Sequence, residues 1–262
     1  MKGRLLMCLI TLQFQRHSKY KLIIAANRDE FYQRPTADAH FWEDNPNILA
    51  GRDLTANGTW LGITKQGRIA ALTNYRDPEQ TTAGKKSRGN IVKDYLAGNA
   101  APIEYIKELQ SQQHNFVGYN VIAGTPDELF YYSNIQNKIR QIPAGTHGLS
   151  NEFLNTPWPK VTRTKTKLHE YVRLNDSLDE NKLFEMIADT EEAADEQLPG
   201  TGVSRELERK LSPPFIMTPE YGSRSSAVLL VDYENNVTFT ERTFEKGKFK
   251  DENHFSFQIQ KE

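Results

Sequence analysis
Residues 7–30 read MCLITLQFQRHSKYKLIIAANRDE, and the fold turns on how this stretch is read. Leu9–Phe14 and Tyr20–Ala26 are apolar runs rich in β-branched and aromatic side chains. The polar QRHSK between them suits a turn, so the two runs predict a β-hairpin. The chain's only cysteine, Cys8, stands at the head of the first run. Position alone leaves three readings open: a small buried hydrophobe, the anchor of a lipidated export signal, or a nucleophile waiting for a new N-terminus.

Working outward, residues 27–47 lack periodicity and carry Pro35 and Pro46, which predicts a long ordered loop. TWLGIT and IAALTN flank KQGR and predict a second hairpin with Gly67 in its turn. Helices are expected over 90–97, ending at Gly98, and from Pro102 to about Leu109, with Ile103, Ile106 and Leu109 on one face. NFVGYNVIAG and ELFYYSN form a third strand pair. Two further helices follow, one after Pro159 and one over 179–188. SAVLLVD and VTFTERTF make a last hairpin across YENN, with HFSFQIQ as a terminal strand. Helices segregated from antiparallel strands argue an α+β class with two sheets and helices outside. No internal repeat or linker divides the chain, so one domain is expected over 1–262.

Composition narrows the function. Basic and acidic side chains number 33 and 34, for a net charge of −1, so no global field favours nucleic acid. One cysteine excludes an intrachain disulfide and a multi-cysteine metal cluster. His17, His40, His114, His147, His169 and His254 are dispersed without metal-ligand spacing, and no metal is expected. No apolar stretch approaches the roughly 20 residues of a membrane span. Lys2 and Arg4 precede an apolar run, but Thr11 and Gln13 interrupt it and no small-x-small site follows, which argues against export. The chain is expected in the cytoplasm, acting on a small molecule.

The nucleophile reading has a chemical basis. A thiolate attacks carbonyls, and something must take the thiol proton. If residues 1–7 are an extension, or are removed before Cys8, the α-amino group of Cys8 lies beside its own sulfur. A reference pKa of about 7.7–8.0 suits that amine to general-base work at neutral pH. Initiation at Met7 with loss of that methionine is one route to this state.

Many separate blocks occur in order: MCLI (7–10), AANRDE (25–30), RPT (34–36), ILAGRD (48–53), GTWLGI (58–63), ALTNYRD (71–77), SRG (87–89), GLSN (148–151), PWPK (157–160) and YGSRSS (221–226). By these blocks the chain resembles the family named after its Asn-Arg-Asp-Glu motif, the transport-and-Golgi-organisation family, from Cys8 to about Val231. It also resembles, more distantly, cysteine N-terminal-nucleophile hydrolases of the choloylglycine hydrolase and penicillin V acylase type.

That second resemblance implies a four-layer αββα sandwich and a set of roles. Cys8 attacks an amide, ester or thioester carbonyl. Arg28 favours the thiolate, and Asp29 holds the terminal amine. Asn151 donates to the oxyanion, and Arg224 steadies the cluster or a substrate carboxylate. Apart from the resemblance, Asn74 closes the strand IAALT and reads either as a second oxyanion donor or as a turn former. Asn27, Trp60 and Tyr75, from the motif blocks, are assigned to substrate binding. The alternative, from the family's links to trafficking, lipid and haem handling, is a non-catalytic carrier of haem or acyl-coenzyme A. No other cofactor is expected. KKSRG reads as a solvated basic loop, with an acidic ligand as its second reading.

Overall fold
The computed structural model describes residues 8–260. The expectation that residues 1–7 are an extension or are removed lies outside them. The predicted first hairpin is present as β1 (Cys8–Phe14) and β2 (Tyr20–Phe31), joined through Gln15 and the polar turn. Ile10, Leu12, Phe14, Leu22, Ile24 and Ala26 face one way, into the main core. Ile23 and Ala25 face the other way, into a second apolar cluster. A hairpin with two buried faces needs a layer on each side, so the architecture follows from it.

The remaining strands are β3 (Thr36–Phe41), β4 (Ile48–Asp53), β5 (Leu61–Thr64), β6 (Ile69–Asn74), β7 (Tyr119–Gly124), β8 (Leu129–Ser133), β9 (Lys138–Gln141), β10 (Gly145–Leu149), β11 (Tyr221–Asp232), β12 (Asn236–Glu245) and β13 (Lys248–Gln258). They form two antiparallel sheets, ordered β10-β1-β2-β11-β12-β13 and β3-β4-β5-β6-β7-β8-β9. The helices are α1 (Gly89–Ala97), α2 (Pro102–Ser111), α3 (Pro159–Leu174), α4 (Glu180–Ile187) and the short α5 (Arg205–Lys210). Leu168 and Val172 of α3, with Leu183, Phe184 and Ile187 of α4, cover the outer face of the first sheet. Ile91, Val92, Tyr95 and Leu96 of α1, with Ile106 and Leu109 of α2, cover the second. The expected four-layer αββα sandwich is the fold.

One expectation is corrected. The segment 27–47 is not a long loop. β2 runs on through Asn27, Arg28, Asp29 and Glu30, pairing with β11 out to Phe31 opposite Tyr221, and β3 follows within the same segment. The four polar residues are tolerated in a buried strand because each finds hydrogen bonds or charge partners. The Asn27 side-chain amide donates to the Ile187 and Pro214 carbonyls at 2.7 and 2.8 Å, and Ser226 Oγ donates to its oxygen at 2.7 Å. Pro35 falls just before β3 rather than inside a ladder, where it would remove a donor.

Candidate active site
A cavity of about 960 Å³ opens where the head of β1 meets the end of β6 and the start of α1. Strand alternation puts Cys8 there. Its ladder partner on β2 is Arg28, whose partner on β11 is Ser225, and all three line the cavity. The register of β11 slips between Ser223 and Ser225, so Arg224 is an inserted residue of a bulge. Its guanidinium donates to the Phe31 and Arg34 carbonyls at 3.1 and 2.7 Å, holding the turn after β2. That turn presents Arg34, which pairs with Asp53 at 2.5 Å and approaches Glu30 at 3.5 Å. Arg28 lies 3.7 Å from Glu30 and donates to Thr36 Oγ1 at 3.3 Å.

Cys8 is buried, and that burial pushes its thiol up to about 12. The Asp29 carboxylate adds to the rise, while the Asp29 main-chain N–H and the Arg28 guanidinium oppose it. Burial outweighs both, so the thiol as it stands is protonated at neutral pH. Asp29 is itself raised, chiefly by burial, with Lys160, a hydrogen bond from Ser223 and Arg28 acting against the rise. Ser223 Oγ donates to Asp29 Oδ1 at 2.5 Å.

Asn74 and Asn151 form a second cluster. Asn151 Nδ2 donates to the Asn74 main-chain oxygen at 2.8 Å, and the Arg76 N–H donates to the Asn151 oxygen at 2.7 Å. Ser150 Oγ sits 2.8 Å from the Cys8 carbonyl, and Thr73 Oγ1 donates to the Ser150 carbonyl at 2.5 Å. These bonds tie the end of β6 in one sheet to the ends of β10 and β1 in the other. They fix Asn74 relative to Cys8.

Of the nine residues singled out in the sequence, Cys8, Arg28, Asp29, Asn74 and Trp60 line the cavity. Asn151 lies behind Asn74 and Arg224 behind the Phe31–Arg34 turn. Asn27 points to the opposite face of the sheet, under α4. Tyr75 stacks on Phe153 with ring centroids 5.3 Å apart, outside the lining.

The structure adds residues that the sequence reading left unassigned. Arg88, from the SRG block, projects into the cavity. Its Nη1 donates to the Gly118 carbonyl at 3.0 Å, and among the described residues it makes no ion pair. Burial lowers it to about 10, and its largest opposing contribution comes from Cys8, which marks the two as neighbours. Glu241 lines the cavity from β12, wholly buried, and burial raises it to about 7. Lys160, from the PWPK block, is buried at the start of α3 on the far side of the same sheet. For Arg88 and Lys160 the signal was present in the quoted blocks, but nothing in the sequence attached them to Cys8.

Comparison with known proteins places this geometry. A family model described as Transport and Golgi organisation 2 matches residues 7–246. The human Transport and Golgi organization protein 2 homolog is 35% identical over 258 residues, covering 90% of this chain and 93% of the human one. Among solved structures, the Caenorhabditis elegans N-acylethanolamine-hydrolyzing acid amidase ortholog superposes with a TM-score of 0.51 at 14% identity, over 85% of this chain and 92% of that one. A mutant of the conjugated bile acid hydrolase from Clostridium perfringens gives 0.50 at 9% identity, over 97% and 92%. At these identities the two structures share the fold with this chain. By sequence, the chain belongs to the Transport and Golgi organisation 2 family, and its αββα sandwich is the fold it shares with those two solved structures.

Proposed function
We propose that the protein is an N-terminal-nucleophile hydrolase that cleaves a small amide, ester or thioester through Cys8. The observation that carries this reading is the placement of the only thiol at the first residue of β1, lining the cavity opposite Arg28. The fold adds support, because it is shared with proteins named as an acid amidase and a conjugated bile acid hydrolase. In the proposed reaction the Cys8 sulfur bonds to the substrate carbonyl carbon. The thiol proton passes to the α-amine of Cys8 and from there to the leaving amine, alcohol or thiol as its bond to the carbonyl breaks. Water then hydrolyses the acyl-sulfur bond, returning the thiol. Arg28 supplies positive charge beside the sulfur, and Asn74 donates to the carbonyl oxygen as it gains charge.

The thiol's rise to about 12 makes the amine essential to this scheme. A chain in which Met7 remains attached has an amide there and no base. Hydrolysis of p-nitrophenyl acetate is expected to be about 10²- to 10⁴-fold slower for a chain retaining Met7 than for one beginning at Cys8. Equal rates for the two chains would remove the amine from the mechanism.

Arg88 favours a second reading, a carrier of an anionic ligand such as acyl-coenzyme A. Its guanidinium, with Lys85 and Lys86 at the rim, suits a phosphate or carboxylate. Haem fits less well: among the described residues no histidine lines the cavity, and Cys8 is its only sulfur. Saturable binding of acyl-coenzyme A without release of free coenzyme A would favour the carrier.

A further inference from the structure
Lys160 has no task in the mechanism above, and its surroundings call for one. It is the second residue of α3, 1% exposed, and among the described residues its Nζ has no hydrogen-bond partner. Asp29, 2% exposed, uses Oδ1 to accept from Ser223, while Oδ2 has no hydrogen-bond partner among the described residues. Each is the other's strongest charge neighbour, although they do not form a direct ion pair. The other charged or titratable groups acting on Lys160 are Arg76, Cys8 from the head of β1 and Glu208 of α5. Those acting on Asp29 are Arg28 and Glu30 of its own strand, with Ser223 of β11 as hydrogen-bond donor. Glu208 is already spent, accepting from Arg76 at 2.5 Å and from the Thr201 N–H at 3.1 Å. Asp29 therefore has one cation at hand from the helix layer, and that cation is Lys160.

A buried ammonium and a half-satisfied buried carboxylate are both costly, and apolar residues of the same volume would commonly serve stability as well or better. Orphaned polar atoms in a packed interior call for a reason beyond packing. Both orphans lie at the end of the sheet where β1 begins: Asp29 adjoins Arg28, the ladder partner of Cys8, and Val161, next to Lys160, shares an apolar cluster with Leu9.

We propose that Lys160 is a positioning residue: its ammonium keeps the Asp29 carboxylate ionised, and the ionised carboxylate holds the Cys8 amine against the sulfur. The second half rests on the hydrolase reading; the first half does not. Loss of the Lys160 charge leaves Asp29 with burial and the Glu30 carboxylate pushing it towards the neutral acid, and a neutral acid is a poor acceptor for an ammonium.

The test is a pH titration of the Asp29 carboxyl by carbon-13 NMR, its resonance assigned by loss in D29N, in the wild type, K160M and K160R. The expected result is a rise of one pH unit or more in the midpoint for K160M and little movement for K160R. K160Q replaces K160M if the latter does not fold. An Asp29 midpoint that stays put when the charge is removed overturns the proposal, whatever the hydrolysis assay shows. In the same variants the acid limb of the hydrolysis profile is expected to move up with Asp29. A shifted midpoint in a protein that hydrolyses nothing, even when it begins at Cys8, supports the pairing of Lys160 with Asp29 and overturns the hydrolase reading instead.

Discussion
Cys8 sits where burial and charge pull in opposite directions. Arg28 lies across the ladder and the Asp29 N–H points at the sulfur, yet desolvation and the Asp29 carboxylate prevail. Burial therefore holds the sulfur as the neutral thiol at pH 7. Such a sulfur needs a base in contact with it. The sequence showed a lone cysteine and an arginine in their order along the chain, and the β1–β2 ladder then sets the two opposite each other. The two asparagines are a different matter. Asn74 ends β6 and Asn151 lies two residues past β10, and only the crossing of two sheets reveals that Asn74 lines the cavity while Asn151 supports its main chain. Asn74→Ala is therefore expected to lower kcat by about 10²- to 10³-fold with little change in KM, measured as steady-state hydrolysis. A loss confined to KM would assign Asn74 to substrate binding.

The elements that place the site divide into those the sequence shows and those it hides. The hairpins at 9–26, 59–74 and 226–244, and the helices opening at Pro102 and Pro159, follow from alternation, turn residues and proline at the first helical position. β3, β4, β9 and β10 escape the same reading. β9 is only four residues long and largely exposed, and β10 carries two of the chain's glycines, so neither has a periodic pattern. The extension of β2 was hidden for another reason: polarity signalled a turn, whereas the polar side chains were building a site inside a ladder. α1 is positioned by a contact that only the fold shows. A Cβ on Gly58 would fall 2.5 Å from the Gly89 carbonyl carbon, so the two glycines bring the start of α1 against the second sheet. Gly58→Ala is expected to cost about 1–3 kcal/mol in urea denaturation and to slow hydrolysis by shifting Arg88. Unchanged stability would show that the contact relaxes without strain.

At the scale of the whole molecule, the two sheets enclose not only apolar packing but a buried acid. Glu241 reaches from β12 across to β3, where its Oε2 accepts the Ala39 N–H at 2.6 Å. Burial raises it to about 7, above its ordinary carboxylate value. A carboxyl raised in the folded state binds more protons than in the unfolded chain. Its effect on stability is therefore most favourable below pH 4.5 and is lost as pH climbs towards 7 and beyond. Glu241→Gln keeps the acceptor and removes the charge, so it is expected to stabilise the protein at pH 8 by about 1–3 kcal/mol relative to its effect at pH 5, read by denaturant titration at both pH values. An equal effect at both would mean that Glu241 is ionised throughout.

The account stands on Cys8 forming an acyl bond from within the cavity once its amine is unblocked. The direct measurement is peptide mass analysis after acid quench of the protein mixed with p-nitrophenyl acetate. A chain beginning at Cys8 is predicted to carry one acetyl group on that residue, hydroxylamine-labile as a thioester, with none there in Cys8→Ala. An acetyl group absent from Cys8 in the chain that begins there, or present only as a stable amide on its nitrogen, would contradict the account.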